Sequence, residues 1–200
     1  MAGHRFFAAV WARQTKAESP ALRALRREIA GAVHGRVLEV GVGVGTNFQY
    51  LPDGIEYIGI DPDPHMIRRA REAARSGSAA LDVEQLDVQR LPFADNSFDS
   101  AFTTLTFCSV PDAAAGLREV RRVLKPGGSF RFAEHVRSQN RAYAAFQTVL
   151  LPLTRGVGGG CEHTRDTLGA LREAGFSIEH RKARMMGLPL IIGTATKGKR

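Results

Sequence analysis

Three acids and three glycines carry the clearest chemical meaning in this sequence. Glu39 sits inside the apolar run Val37-Leu38-Glu39-Val40 and is followed directly by Gly41, Gly43 and Gly45. Asp61 closes a second apolar run 22 residues later, and Asp87 closes a third. Glycines at alternate positions let the backbone approach a ligand closely, with dihedrals that side chains resist. A dinucleotide fingerprint would need a glycine where Thr46 stands, and no Gly-Lys-Ser/Thr ending marks a phosphate loop. A carboxylate at Glu39 repels a pyrophosphate but favours an amino group or a sulfonium. Asp61, at a strand end, is placed to accept from a ribose diol, and Asp87 to meet an adenine amino group. A cationic adenosine ligand without phosphates is S-adenosylmethionine.

Methyl transfer from a sulfonium is an in-line displacement whose electrophile is already activated by its charge. Alignment and exclusion of water are the main needs, and well-oriented groups supply roughly 7–11 kcal/mol as effective concentration. A thiol acceptor needs modest help to ionise, whereas a hydroxyl or carbon acid needs a strong base. Glu134 and His135 end an apolar run, and His163 lies in an irregular stretch; these three are the candidates for handling a proton. Cys161 follows a glycine run and is placed at the substrate mouth, while Cys108 reads as a small packed hydrophobe. Two cysteines without a partnered spacing predict neither a disulfide framework nor a zinc site, and no metal is expected.

Short apolar runs alternating with helical periodicity must position these groups. Runs at 36–42, 57–61, 81–88, 97–110 and 129–136 read as strands, and 64–77 and 112–128 as helices, the second stopped by Pro-Gly-Gly. Residues 4–34 read as helical, 138–163 as irregular, 164–174 as a last helix, and 176–185 and 190–196 as two closing strands. The pattern predicts an α/β fold: a Rossmann-like, mostly parallel seven-stranded sheet covered on both faces, with an antiparallel C-terminal hairpin. One domain is expected, with a helical cap at 1–34, a cofactor core at 35–135, a substrate-side segment and last helix at 136–175, and a strand pair at 176–200.

Composition narrows the class. Two hundred residues, 44% hydrophobic, suit one globular domain. No run of about 18 apolar residues is present, and the basic-then-apolar start is short for a signal peptide, so a cytoplasmic chain is expected. The net charge is +8, but only five of the 28 basic residues are lysines and the arginines are scattered. Nucleic acid is therefore not an expected partner. Phe6, Phe7, Trp11 and Tyr143 are expected to line an apolar acceptor wall with Cys161, with Phe146 and Leu150 more simply read as packing. A basic amphipathic N-terminal helix could alternatively rest on an anionic membrane.

As a set, "LEVGVGVG", "GIDPDPHMIRRAR", "LDVQRLPFADNSFDSAF" and "LREVRRVLKPGGSF" resemble the motifs of class I S-adenosylmethionine-dependent methyltransferases over residues 36–135. Val44 departs from the small Thr or Pro usual there. The resemblance implies that Glu39, Gly41, Gly43, Gly45 and Asn47 hold the methionine part of the cofactor. It implies that Asp61 binds the ribose, that Pro62 and Met66 line the adenine, and that Asp87 and Val88 contact its edge. Thr104 and Thr106 would approach the methionine end. "GTNFQYLP", "TFCSV", "EHV" and the segment from Gly160-Cys161 to Phe176 are similar to alkyl thiol S-methyltransferases and to bacterial phospholipid N-methyltransferases. Membrane-bound thiol enzymes of that group carry an N-terminal hydrophobic anchor. Without one in this sequence, the expected acceptor is a hydrophobic small molecule that is soluble or met at a surface, with a thiol leading. Phosphatidylethanolamine-type amines, a quinone or secondary-metabolite carbon, a cofactor-binding protein without turnover and a basic RNA-associated module stay open.

Overall fold

The computed structural model describes residues 18–77, 81–157, 160–185 and 187–199. Phe6, Phe7, Trp11 and the expected N-terminal helix before residue 18 lie outside the described residues. Helix α1 (Pro20–Ala30) begins where Ser19 caps it, its side chain accepting from Leu22 N, and where Pro20 fills the first turn. After it come β1 (Arg36–Val40), a 3-10 turn (Phe48–Tyr50), β2 (Glu56–Ile60), α2 (Pro64–Arg75), β3 (Leu81–Glu84) and β4 (Phe98–Thr104). The chain continues through α3 (Ala113–Val123), β5 (Leu124–His135), α4 (Arg141–Val157), α5 (Thr167–Glu173), β6 (Phe176–Met185) and β7 (Leu188–Lys197).

The strands form one seven-stranded sheet in the order β3-β2-β1-β4-β5-β7-β6. Every pairing from β3 to β5 is parallel, while β7 runs antiparallel to both β5 and β6. The order reverses between β1 and β4, so the ligand crevice opens at their carboxyl ends. Alternation along the strands sorts the core into layers. Leu38, Phe130 and Phe132 pack with Leu117 and Val120 of α3 and Leu171 of α5. Val37, Tyr57, Phe102 and Ala133 face Leu25 and Ile29 of α1.

Three local readings differ from expectation. Residues 141–157 are a 17-residue helix containing Pro152, not an irregular stretch. The Pro-Gly-Gly turn lies within β5, which pairs Leu124 with Phe98 and then shifts register before Ser129 meets Ser100. The third strand ends at Glu84, so Asp87 stands beyond it.

Candidate cofactor and acceptor site

The glycine loop leaves β1 and hooks onto the end of β2, with Gly41 N and Val42 N both donating to Ile60 O at 2.8 and 3.0 Å. Gly41 has φ +76°, and a Cβ there would stand 2.2 Å from Thr106 Oγ1, so only glycine fits under the loop that follows β4. Glu39 itself is fully buried. Asn47 Nδ2 donates to one of its oxygens at 2.6 Å, and the Tyr57 hydroxyl donates to the other. Gly59 makes room for that hydroxyl, since a Cβ there would meet it at 2.4 Å. Burial pushes the Glu39 carboxyl up to about 7, against the pull of Tyr57, Asn47 and Arg26.

Arg26 completes this network. It pairs with Glu18 at 2.7 Å, both side chains at most 5% exposed, and donates to Asn47 Oδ1 at 3.1 Å and Thr104 Oγ1 at 3.0 Å. Asn47 Nδ2 also reaches Thr104 Oγ1 at 3.0 Å. Glu39, Asn47 and Thr104, expected to hold the methionine part of the cofactor, thus share one buried hydrogen-bond network that braces the loop. Arg26 and Tyr57 are functional neighbours the sequence reading missed. A signal existed for Arg26: it occupies the core-facing stripe Leu22, Leu25, Arg26, Ile29.

Asp61 and Asp87 follow the carboxyl ends of β2 and β3. Asp61 accepts from Gly43 N at 3.2 Å and Asp63 N at 2.9 Å, and burial pushes its carboxyl up to about 6. Asp87 holds the side chain and amide of Gln89. Among the described residues no arginine or lysine bonds to either acid, which suits hydroxyl and amino donors and not phosphates. Pro62 is exposed beside Asp61, and Met66 is buried. Val88 sends its side chain into the core toward Gly116, so only its backbone is available at the crevice. The residues thus fit an adenosine ligand bearing positive charge.

Beyond β4 and β5 lies a second group. Glu134 is fully buried and takes three backbone amides, Thr106 N and Phe107 N at 2.9 Å and Cys108 N at 3.3 Å. This carboxylate fastens the loop after β4, and burial pushes it up to about 7. His135, the next residue, points Nδ1 toward Cys161 Sγ at 4.0 Å, and its buried Nε2 has no hydrogen-bond partner among the described residues. Cys108 joins them: its sulfur, a His135 ring nitrogen and the Cys161 sulfur lie within 4.8 Å of one another. Sequence separation concealed this meeting. The Cys161 thiol is held below its ordinary value, first by Cys108, then by His135 and His163 against the effect of burial, while the Cys108 thiol is raised. His163 is fully buried and its carbonyl accepts from Gln147. Tyr143 is elsewhere engaged, its hydroxyl on Gly187 O at 2.7 Å and its ring by Arg184 and Phe146.

A parallel sheet with a reversed antiparallel end, a glycine loop after β1 and acids after β2 and β3 define a class I methyltransferase architecture. Residues 38–132 match the family described as a methyltransferase domain. The human thiol S-methyltransferase TMT1B is 36% identical over 174 residues, covering 80% of this chain and 70% of that protein. The phosphatidylethanolamine N-methyltransferase of Cereibacter sphaeroides is 30% identical over 138 residues, covering 66% of this chain and 68% of that protein. In structure, YcgJ from Bacillus subtilis superposes with a TM-score of 0.75 over 90% of this chain and 99% of its own, at 17% identity. The chain belongs to the S-adenosylmethionine-dependent methyltransferases, and its methyl donor is S-adenosyl-L-methionine. Among the described residues no helix is long and apolar enough to cross a membrane.

Proposed function

We propose that this enzyme methylates the sulfur of a hydrophobic small-molecule thiol. The observation that carries the reading is the state of Glu134: both of its oxygens are taken by backbone amides, so no free carboxylate base remains at the end of β5. On this reading the acceptor meets sulfur and imidazole, from Cys161 and His135, which lie 4.0 Å apart. A carbon acid would find no strong base there, whereas a thiol with an ordinary pKa of about 8.5 needs only modest promotion. The donor supplies the electrophilic methyl. This chain's residues bind and orient it: Asp61 holds the ribose, Asp87 and the Val88 backbone meet the adenine edge, and the glycine loop takes the methionine part. His135 acts on the acceptor sulfur and promotes its ionisation. The thiol S-methyltransferase name of a relative 36% identical supports the same acceptor.

A phospholipid amine is the second reading. Phe146 and Val149 of α4 are 53% and 76% exposed, an apolar pair suited to a membrane surface, and one relative is a phosphatidylethanolamine N-methyltransferase. The test offers methyl-labelled donor with aliphatic and aromatic thiols, phosphatidylethanolamine vesicles and quinone precursors. Labelled thioether is the expected product, and turnover confined to the lipid would sink the thiol reading. His135→Ala should lower kcat on the thiol by about 10²-fold or more while leaving donor affinity unchanged.

A further inference from the structure

Cys108 and Cys161 lie 53 positions apart in the sequence, yet the fold brings their sulfurs beside one imidazole. Three anchors hold the arrangement. Glu134 takes the amide of Cys108, and Glu162 N donates to Cys108 O at 2.7 Å, tying the two cysteine-bearing loops together. Arg165 spans the same gap, donating to Phe107 O at 3.3 Å and to Val110 O. His135 ends β5, in register with Leu190 of β7. In a tetrahedral zinc site, with bonds of about 2.3 Å to sulfur and about 2.0–2.1 Å to nitrogen, ligand atoms lie about 3.5–3.8 Å apart. The three donor atoms, all within 4.8 Å, need to draw in by about 1.3 Å at most. Rotamer adjustment of side chains is enough for that.

Two sulfurs and one imidazole are a soft donor set, and three protein ligands leave a tetrahedral ion one open position. We propose that Cys108, His135 and Cys161 form a three-ligand site for a soft divalent ion of the zinc class, and that the thiol acceptor takes the fourth position. The second half rests on the thiol reading above. On binding there, the acceptor loses its S–H proton to solvent and its sulfur bonds to the ion as a thiolate. A sulfur electron pair then forms the new S–CH3 bond as the donor's S–CH3 bond breaks. The breaking bond's electrons stay on the donor sulfur, giving neutral S-adenosylhomocysteine. The product thioether, uncharged, is a weak ligand and leaves. This assigns the promotion of ionisation by His135 to its role as a ligand.

The full-length protein, reduced and stripped with chelator, is titrated with Co2+ under anaerobic conditions. One ion per chain is expected, with thiolate-to-cobalt charge-transfer absorption and the strong visible bands of tetrahedral geometry. Cys161→Ser and His135→Ala should each abolish the charge-transfer bands. Cys161 is half-buried, so its variant carries the test even if Cys108→Ser fails to fold; circular dichroism and calorimetric donor binding check each variant. Adding a small thiol should shift the visible bands, and the corresponding thioether should not. Absent charge-transfer absorption in the reduced protein, or bands unchanged in Cys161→Ser, would overturn the site. Disulfide formation between the two cysteines with no cobalt uptake after reduction would overturn it too. Undiminished thiol methylation by stripped protein would reject the ion's part in the reaction while leaving the thiol reading standing. A cobalt site with no thiol turnover would reject the thiol reading, and the ion's part in the reaction with it, while leaving the three-ligand site standing.

Discussion

In its proposed ribose role, Asp61 would join a titration to a binding event. Its carboxyl stands at about 6 in the free protein because burial outweighs the amides of Asp63 and Gly43. Two ribose hydroxyls donate best to the ionised form, so donor binding favours loss of that proton. Affinity for S-adenosylmethionine should therefore tighten as pH rises from 5 toward 7, by up to about tenfold per unit below the pKa, and level off above it. Calorimetry across that range reads the slope, and Asp61→Asn should both weaken binding and erase the slope. A pH-independent affinity in the parent would remove Asp61 from the ribose. At Glu39 the expected cost is to stability. Tyr57→Phe strips a donor from a fully buried carboxylate and should cost about 1–3 kcal/mol in urea unfolding. Gly59→Ala should act in the same direction by displacing the Tyr57 hydroxyl. Acids and glycines at strand ends were legible because their types and spacing are unusual in apolar runs. The inward turn of Glu39 was not, because nothing in a strand pattern says that a tyrosine two positions before a glycine will reach across to the next strand.

Helix α4 shows why one element escaped the periodicity argument. Its apolar residues do not form one buried stripe: Phe146 and Val149 are exposed, while fully buried Gln147 is the anchor. Gln147 Oε1 accepts from Ser138 N at 2.7 Å, and its Nε2 donates to Val136 O at 3.2 Å and His163 O at 3.0 Å. One amide thus fastens α4 to the chain leaving β5 and to the loop that carries Cys161 and His163. A polar residue in the core position breaks the apolar period, and Pro152 hides the helix further. Strands β1 and β2 were readable for the opposite reason: both faces of their segments are buried, so the runs are continuously apolar. Gln147→Leu keeps volume but leaves Ser138 N and two carbonyls without partners. The variant should lose about 1–3 kcal/mol and show faster amide exchange through 136–138 and 161–165 than through β1 and β4. Uniform exchange across the sheet would mean that α4 is held by other contacts.

For the whole molecule, three buried acids decide how stability follows pH. Glu39 and Glu134 rise from 4.5 to about 7, and Asp61 from 3.8 to about 6, in each case chiefly through burial. Between the ordinary and raised values the folded chain keeps protons that the unfolded chain has released. Stability contributed by the protonated form is thus present at low pH and lost as pH rises through this window. Each unit is worth about 1.4 kcal/mol, so one buried glutamate alone costs about 3 kcal/mol by pH 7.5, a sizeable share of a typical domain's 5–15 kcal/mol. Surface acids pull the other way at the acidic end. Asp99 is lowered by Lys125 and Glu119 by Arg122, so their contributions are present above their ordinary values of 3.8 and 4.5 and lost below them. The urea midpoint of the donor-free protein should accordingly peak near pH 5 and fall toward pH 8. Glu134→Gln cannot ionise, and it should trail the parent most at pH 5 and gain on it steadily as pH rises. A midpoint that is flat from pH 5 to 8, or a Glu134→Gln gap that widens with pH, would show that the buried acids are already ionised in the folded chain, Glu39 beside Arg26 and Glu134 on its backbone amides.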